Sequence, residues 1–178
     1  KMKARAGKKK TLLEMGGNAG VIVGPSADIA HAVKRSIVGG FAYSGQVCIH
    51  AQRIYVHDDV FDRFISAFVK EAEQLQVGDP QDETTQISAM IDEGNARRVE
   101  EWIQEARDAG ASVLSGGSRE GTYVAPTVLT NTNNQMKVCA LEIFGPVVAI
   151  ERYSDFQQAV DLINDSDYGL QAGVFTNS

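Results

Sequence analysis

The sequence predicts an α/β fold with a mainly parallel sheet, because short apolar runs alternate along the chain with longer stretches of helical period. Two pairs are clearest: Val21–Ile22–Val23 followed by the Ile29, Val33, Ile37 stripe, and Arg53–His57 followed by the Phe61, Phe64, Phe68 stripe. In chain order, Val21–Val23 reads as a strand stopped by Gly24–Pro25, and Ser26 then opens a helix running toward Gly39–Gly40. Tyr43–Ser44–Gly45–Gln46 reads as a turn and Arg53–His57, by its alternation, as a strand. The helix bearing Phe61, Phe64, Ile65, Phe68, Ala72 and Leu75 gives way to a turn at Val77–Gly78–Asp79–Pro80. A third helix has Val99, Trp102, Ile103 and Ala106 on one face and Gly110 at its end. Val113–Leu114, Pro126–Leu129 and Val147–Ile150 are predicted strands. Ser154 and Gln157 have the spacing of a capping box for a helix with Phe156, Val160 and Ile163 inward, and Gly173–Thr176 closes the chain as a strand.

At 178 residues, 43% hydrophobic and 22% charged, the chain is long enough for a sizeable core and lies outside the disordered, collagenous and disulfide-scaffold classes. No apolar run has the length of a membrane span. The net charge of −6 hides an asymmetry: Lys1, Lys3, Arg5, Lys8, Lys9 and Lys10 crowd the first ten positions, and the other 168 residues hold 11 basic and 23 acidic side chains, a net −12. A basic arm without interleaved aromatics on so acidic a body is a poor fit to nucleic acid. Two cysteines match the usage of a reduced, cytoplasmic chain, and three scattered histidines give no metal-ligand spacing. The paired glycines at 16–17, 39–40 and 116–117 form neither a G-x-G-x-x-G nor a P-loop.

Three residues are candidates for chemistry. Cys48 follows the 43–47 turn, where a thiol is presented to a cleft or, as for most lone cysteines, packs as a small apolar residue. His50, two positions on, does not make a Cys–His dyad unless a strand begins there. Glu14 stands after Thr11–Leu12–Leu13 and before two glycines, the setting of a reactive carboxylate at a strand's carboxyl end or of a solvated loop acid. Glu142, in Leu141–Glu142–Ile143–Phe144–Gly145–Pro146, reads as an edge-strand acid or a ligand contact. Cys139, in Lys137–Val138–Cys139–Ala140, has a strand-like setting where burial would suppress the thiolate.

Leu13–Glu14–Met15–Gly16–Gly17–Asn18, Phe41-x-x-Ser44–Gly45–Gln46–Val47–Cys48 and Glu142–Ile143–Phe144–Gly145–Pro146 together resemble, in order and separation, the motifs of the NAD(P)-dependent aldehyde dehydrogenase superfamily. The resemblance covers nearly the whole chain and extends to Val77–Pro80, Pro126–Leu129 and Asn164-x-x-x-Tyr168–Gly169–Leu170. It implies a Rossmann-like layered sandwich, with residues 1–13 the end of a cofactor-binding domain and residues 14–178 a catalytic domain truncated at its C-terminal end. It implies Cys48 as the nucleophile, Glu14 as the general base, Glu142 as the acid holding the nicotinamide ribose hydroxyls, and Phe144 beside the nicotinamide. The activity implied is oxidation of an aldehyde to a free carboxylic acid with NAD or NADP, in a homodimer or homotetramer. The main cofactor site falls outside these residues, so the isolated chain is expected to bind the dinucleotide weakly and to be inactive. His50 departs from the small residue usual in the family, and either narrows the site or points into a neighbouring element. The alternative is a non-catalytic interaction domain that keeps the fold.

Overall fold

The computed structural model describes residues 1–178. In chain order the elements are α1 (Met2–Arg5), β1 (Gly20–Val23), α2 (Ile29–Phe41), a 3-10 turn (Ala42–Gly45), β2 (Arg53–His57), α3 (Asp58–Glu73), α4 (Glu93–Asp108), β3 (Ser112–Ser115), β4 (Arg119–Glu120), β5 (Tyr123–Val124), β6 (Thr127–Thr130), α5 (Lys137–Ala140), β7 (Val147–Tyr153), α6 (Phe156–Asn164) and β8 (Ala172–Phe175). Six strands make one sheet in the order β3-β6-β7-β2-β1-β8, with β4 and β5 a separate hairpin. Only β3 runs antiparallel, on β6; the other neighbours are parallel, as the alternation of strands and helices predicts.

Both faces of the sheet are covered, which is why its central strands read as apolar runs. Val21, Val23, Ile54, Val56, Val128, Val148 and Ile150 point to one side and pack under α2 and α3, whose buried stripes are Ala32, Val33, Ile37, Phe41 and Val60, Phe61, Phe64, Phe68, Ala72. On the opposite side Leu129, Val147 and Ala149 meet Ala96, Val99, Ile103 and Ala106 of α4, while Ile22, Tyr55 and Tyr153 meet Ala159 of α6. Each phenylalanine buried under the sheet contributes on the order of 1.5–3 kcal/mol.

Helix boundaries follow local chemistry. Asp28 and Asp92 accept the His31 and Asn95 amides as N-caps of α2 and α4, and Gly110, at φ 104°, takes the left-handed position just beyond α4. Three expectations are corrected. α6 is capped by Asp155, which accepts from the Gln157 and Gln158 amides, while Ser154 bonds the Gln158 side chain; Phe156 then falls on the outer face and is 54% exposed. Cys139 lies in the short helix α5 rather than a strand, because Asn133 and Met136 carbonyls close helical turns there. Residues 11–14 are exposed and form no strand, having no ladder partner in the sheet.

Candidate active site

The register of the central strands determines what meets at the site. Gly20 of β1 pairs with Arg53 of β2, and Arg53 with Ala149 of β7. The strands are parallel, so the segments entering them, 14–19, 48–52 and 142–146, arrive at one edge of the sheet. These are the three segments that carry Glu14, Cys48 and Glu142. The site is therefore built at the amino ends of three adjacent strands, and not at a carboxyl end as the local setting of Glu14 suggested.

The glycine pair after Glu14 makes the contacts. Gly17 donates its amide to Glu142 Oε1 at 2.9 Å. A Cβ on Gly17 would stand 2.1 Å from the Cys48 carbonyl oxygen, and one on Gly16 would stand 2.5 Å from Glu142 Oε2. Only glycine allows this loop to lie against both neighbours. Asn18 anchors it: its Nδ2 donates to the Cys139 carbonyl at 2.6 Å and its Oδ1 accepts from Arg53 Nε at 2.9 Å. Arg53 is itself buried, with its remaining N–H groups donating to Tyr55 and to the Asn18, Leu162 and Ile163 carbonyls. The last two are part-buried carbonyls at the C-terminus of α6, the end of a helix that attracts a cation. Glu14 itself is exposed to solvent.

Cys48 is half-buried in a tight turn closed by the His50 amide on the Val47 carbonyl at 3.0 Å. Ahead of it Tyr43, Ser44 and Gly45 have φ of 54°, 56° and 68°, three successive left-handed residues. Such a backbone persists only where its surroundings hold it. Ser44 Oγ both accepts the Ser88 amide and donates to the Ser88 carbonyl, and Gln46 does the same between Ile91 and Ala89. Gly45 lies against Gly145, whose carbonyl oxygen would be 2.0 Å from an added Cβ. The turn bearing Cys48 is thus locked to the loop at 88–91 and to the Glu142 segment.

The second cysteine differs in environment. Cys139 is buried, donates to Thr132 Oγ1 at 3.3 Å, and has its thiol pushed up to about 11, chiefly by desolvation. His50 points into the interior, 3% exposed, with neither ring nitrogen hydrogen-bonded. Burial lowers its pKa to about 4, against a weaker opposing pull from the Gly40 carbonyl. It narrows no cleft and makes no dyad with Cys48.

Glu142 is half-buried in an irregular segment, with Phe144 next to it held at φ 47° and 36% exposed. Three residues not singled out from sequence support these groups: Gln52, Arg53 and Arg98. Gln52 is 1% exposed and donates to the Val138 and Leu141 carbonyls while accepting the Ile143 amide. Arg98, stacked on Trp102 of its own helix, donates to the Ile143 carbonyl at 2.8 Å. The one visible signal for Gln52 in the sequence was a polar residue directly before the buried strand β2.

No helix is long and apolar enough to cross a membrane. A family model described as the aldehyde dehydrogenase family matches residues 1–178. The 3-sulfolactaldehyde dehydrogenase of Priestia aryabhattai is 46% identical over 176 residues, a match covering 99% of this chain and 37% of the relative. Among solved structures, aldehyde dehydrogenase 21 from Physcomitrella patens, in complex with the reaction product succinate, superposes with a TM-score of 0.94 at 43% identity, covering 99% of this chain and 37% of that one. The glyceraldehyde-3-phosphate dehydrogenase GapN from Methanocaldococcus jannaschii, complexed with NADP, gives 0.95 at 38% identity, with 99% and 38% covered. The chain thus spans a little over a third of the length of these relatives, and it belongs to the aldehyde dehydrogenase family.

Proposed function

We propose that residues 14–178 are the catalytic portion of an NAD(P)-dependent aldehyde dehydrogenase that releases a free acid, and that residues 1–13 end its cofactor-binding domain. The observation that carries this reading is the convergence of the Glu14, Cys48 and Glu142 segments through Gly16 and Gly17. An interaction domain has no need of that arrangement. The cytoplasm and a homodimer or homotetramer complete the proposal.

The Cys48 thiolate adds to the aldehyde carbonyl, and the Cys48 backbone N–H donates to the developing oxyanion. Glu142 fits a ribose diol: Gly17 occupies one carboxylate oxygen, and the missing side chain of Gly16 keeps the other clear. Glu142 and Phe144 would hold NAD or NADP, which would supply the acceptor for the hydride; the C–H bond of the Cys48 thiohemiacetal breaks, its oxyanion re-forms the carbonyl, and a thioester is left on Cys48. Phe144, 36% exposed and two residues after Glu142, would lie beside the nicotinamide end. Glu14, exposed on the loop whose Gly16 and Gly17 meet the Glu142 and Cys48 segments, takes a proton from water as its oxygen adds to the Cys48 thioester, and the C–S bond breaks to release the acid and the thiolate. The test is turnover of short aldehydes by the longer enzyme carrying these residues, read as reduced cofactor formed. Replacing Cys48 with Ala should abolish it, and unchanged turnover would remove Cys48 from the mechanism.

A further inference from the structure

We infer that Gln52 and Arg98 are positioning residues that fix the peptide groups on both sides of Glu142, and so set the angle at which its carboxylate meets a ribose diol. The inference rests on the cofactor-holding role proposed for Glu142. Glu142 lies in neither helix nor strand, so no ladder of backbone hydrogen bonds orients it. Side chains do that work instead. Gln52 Nε2 donates to the Leu141 carbonyl at 2.7 Å and its Oε1 accepts the Ile143 amide at 3.0 Å, so a single carboxamide bridges the residues flanking Glu142. The same Nε2 reaches the Val138 carbonyl, inside α5, at 2.8 Å and so ties the segment to the helix that leads into it. Two carbonyls and one amide admit only one orientation of the Gln52 amide. From the opposite side Arg98 Nη2 holds the Ile143 carbonyl at 2.8 Å, with its guanidinium 4.6 Å above the Trp102 ring.

Gln52 also stands four residues after Cys48, at the entrance to β2. One buried side chain therefore ties the segment of the thiol to the segment of the ribose-holding acid. Movement of either is transmitted to the other, and the distance between thiol and nicotinamide is what a hydride transfer requires to be constant. The partners lie 86, 89 and 91 residues away in sequence, so nothing local could replace them.

The test uses Gln52→Met, which keeps volume and removes all three hydrogen bonds, and Arg98→Met, which frees the Ile143 carbonyl from outside the core. In the longer enzyme, with rates expressed per titrated active site, each is expected to raise the cofactor KM roughly tenfold and to leave the aldehyde KM within about twofold. A merely structural role lowers the amount of active enzyme and leaves the cofactor KM of the remainder unchanged; that result overturns the inference. Each change is repeated with Glu142→Ala, where it should add nothing further to the cofactor KM. An undiminished effect there shows that these residues do not act through Glu142. If Gln52→Met does not fold, Arg98→Met decides in the same assays. Amide exchange of Ile143 in the 178-residue chain reads the positioning without any turnover. Acceleration of about tenfold or more in either variant supports it, and unchanged exchange contradicts it even if the enzyme proves active on no aldehyde.

Discussion

Gly17 and Glu142, 125 residues apart in sequence, are joined by a 2.9 Å hydrogen bond from the glycine amide to the glutamate carboxylate. The bond links the loop of the candidate base to the candidate cofactor grip, and the same glycine touches the carbonyl of the candidate nucleophile. Replacing Gly17 with Ala places a methyl group where the Cys48 carbonyl stands, and one of the two segments must move. We expect a loss of about 1–3 kcal/mol in stability and a fall in kcat of about 100-fold. Urea denaturation and steady-state kinetics check both, and wild-type kinetics would show that the contact does not position Cys48.

The two thiols should react very differently. Cys139 is buried with its pKa pushed up to about 11, whereas Cys48 is half-buried in a turn. Brief iodoacetamide treatment at pH 8, followed by peptide mapping, is expected to label Cys48 at least tenfold more than Cys139. Preferential labelling of Cys139 would reverse the assignment of the nucleophile.

The turn before Cys48 depends on Ser44. Ser44→Ala removes both bonds to Ser88 and leaves the Ser88 amide without its partner, a cost of about 1–3 kcal/mol. The released left-handed residues should also change the alkylation rate of Cys48. A lowered denaturation midpoint with an unaltered Cys48 rate would mean that Ser44 stabilises the fold without fixing the thiol.

His50 makes stability depend on pH. Its folded-state pKa, about 4, is below the ordinary value of 6.5, so the unfolded chain binds the proton more readily. The stability associated with neutral His50 is complete above pH about 6.5 and is lost progressively as pH falls toward 4, up to about 3 kcal/mol. Urea unfolding of wild type and His50→Ala across that window should give a shallower slope for the variant. Equal slopes would mean that His50 titrates normally in the folded chain.

What the sequence made legible was periodic or short-range. Val33 and Ile37 of α2 and Val99, Ile103 and Ala106 of α4 are buried where helical spacing places them, with Ile29 partly buried against the same core, and the turn at 43–46 is real. Short features failed where neighbours decide. Four residues around Cys139 fit a strand or one helical turn equally well, and their hydrogen bonds chose the helix. Ser154 and Asp155 can both cap a helix, and choosing Asp155 moved Phe156 outward. His50 left two readings open, narrowing the site or pointing into a neighbouring element, and its burial selects the inward one. Gln52 was invisible as a partner of Glu142, since its three bonds span 86 residues or more. The motif residues were readable one segment at a time, whereas their meeting depends on strand register, and so does the location of the site at amino ends.

In the proposed mechanism Cys48 carries the acyl group and Glu14 releases it. Its most direct measurement is intact-protein and peptide mass spectrometry of a Glu14→Gln enzyme mixed with an aldehyde and the oxidised cofactor. We expect a burst of reduced cofactor with about one equivalent per site, then little turnover, and a stable acyl adduct on the peptide containing Cys48. Steady wild-type turnover with no adduct, or an adduct located on Cys139, would contradict the account.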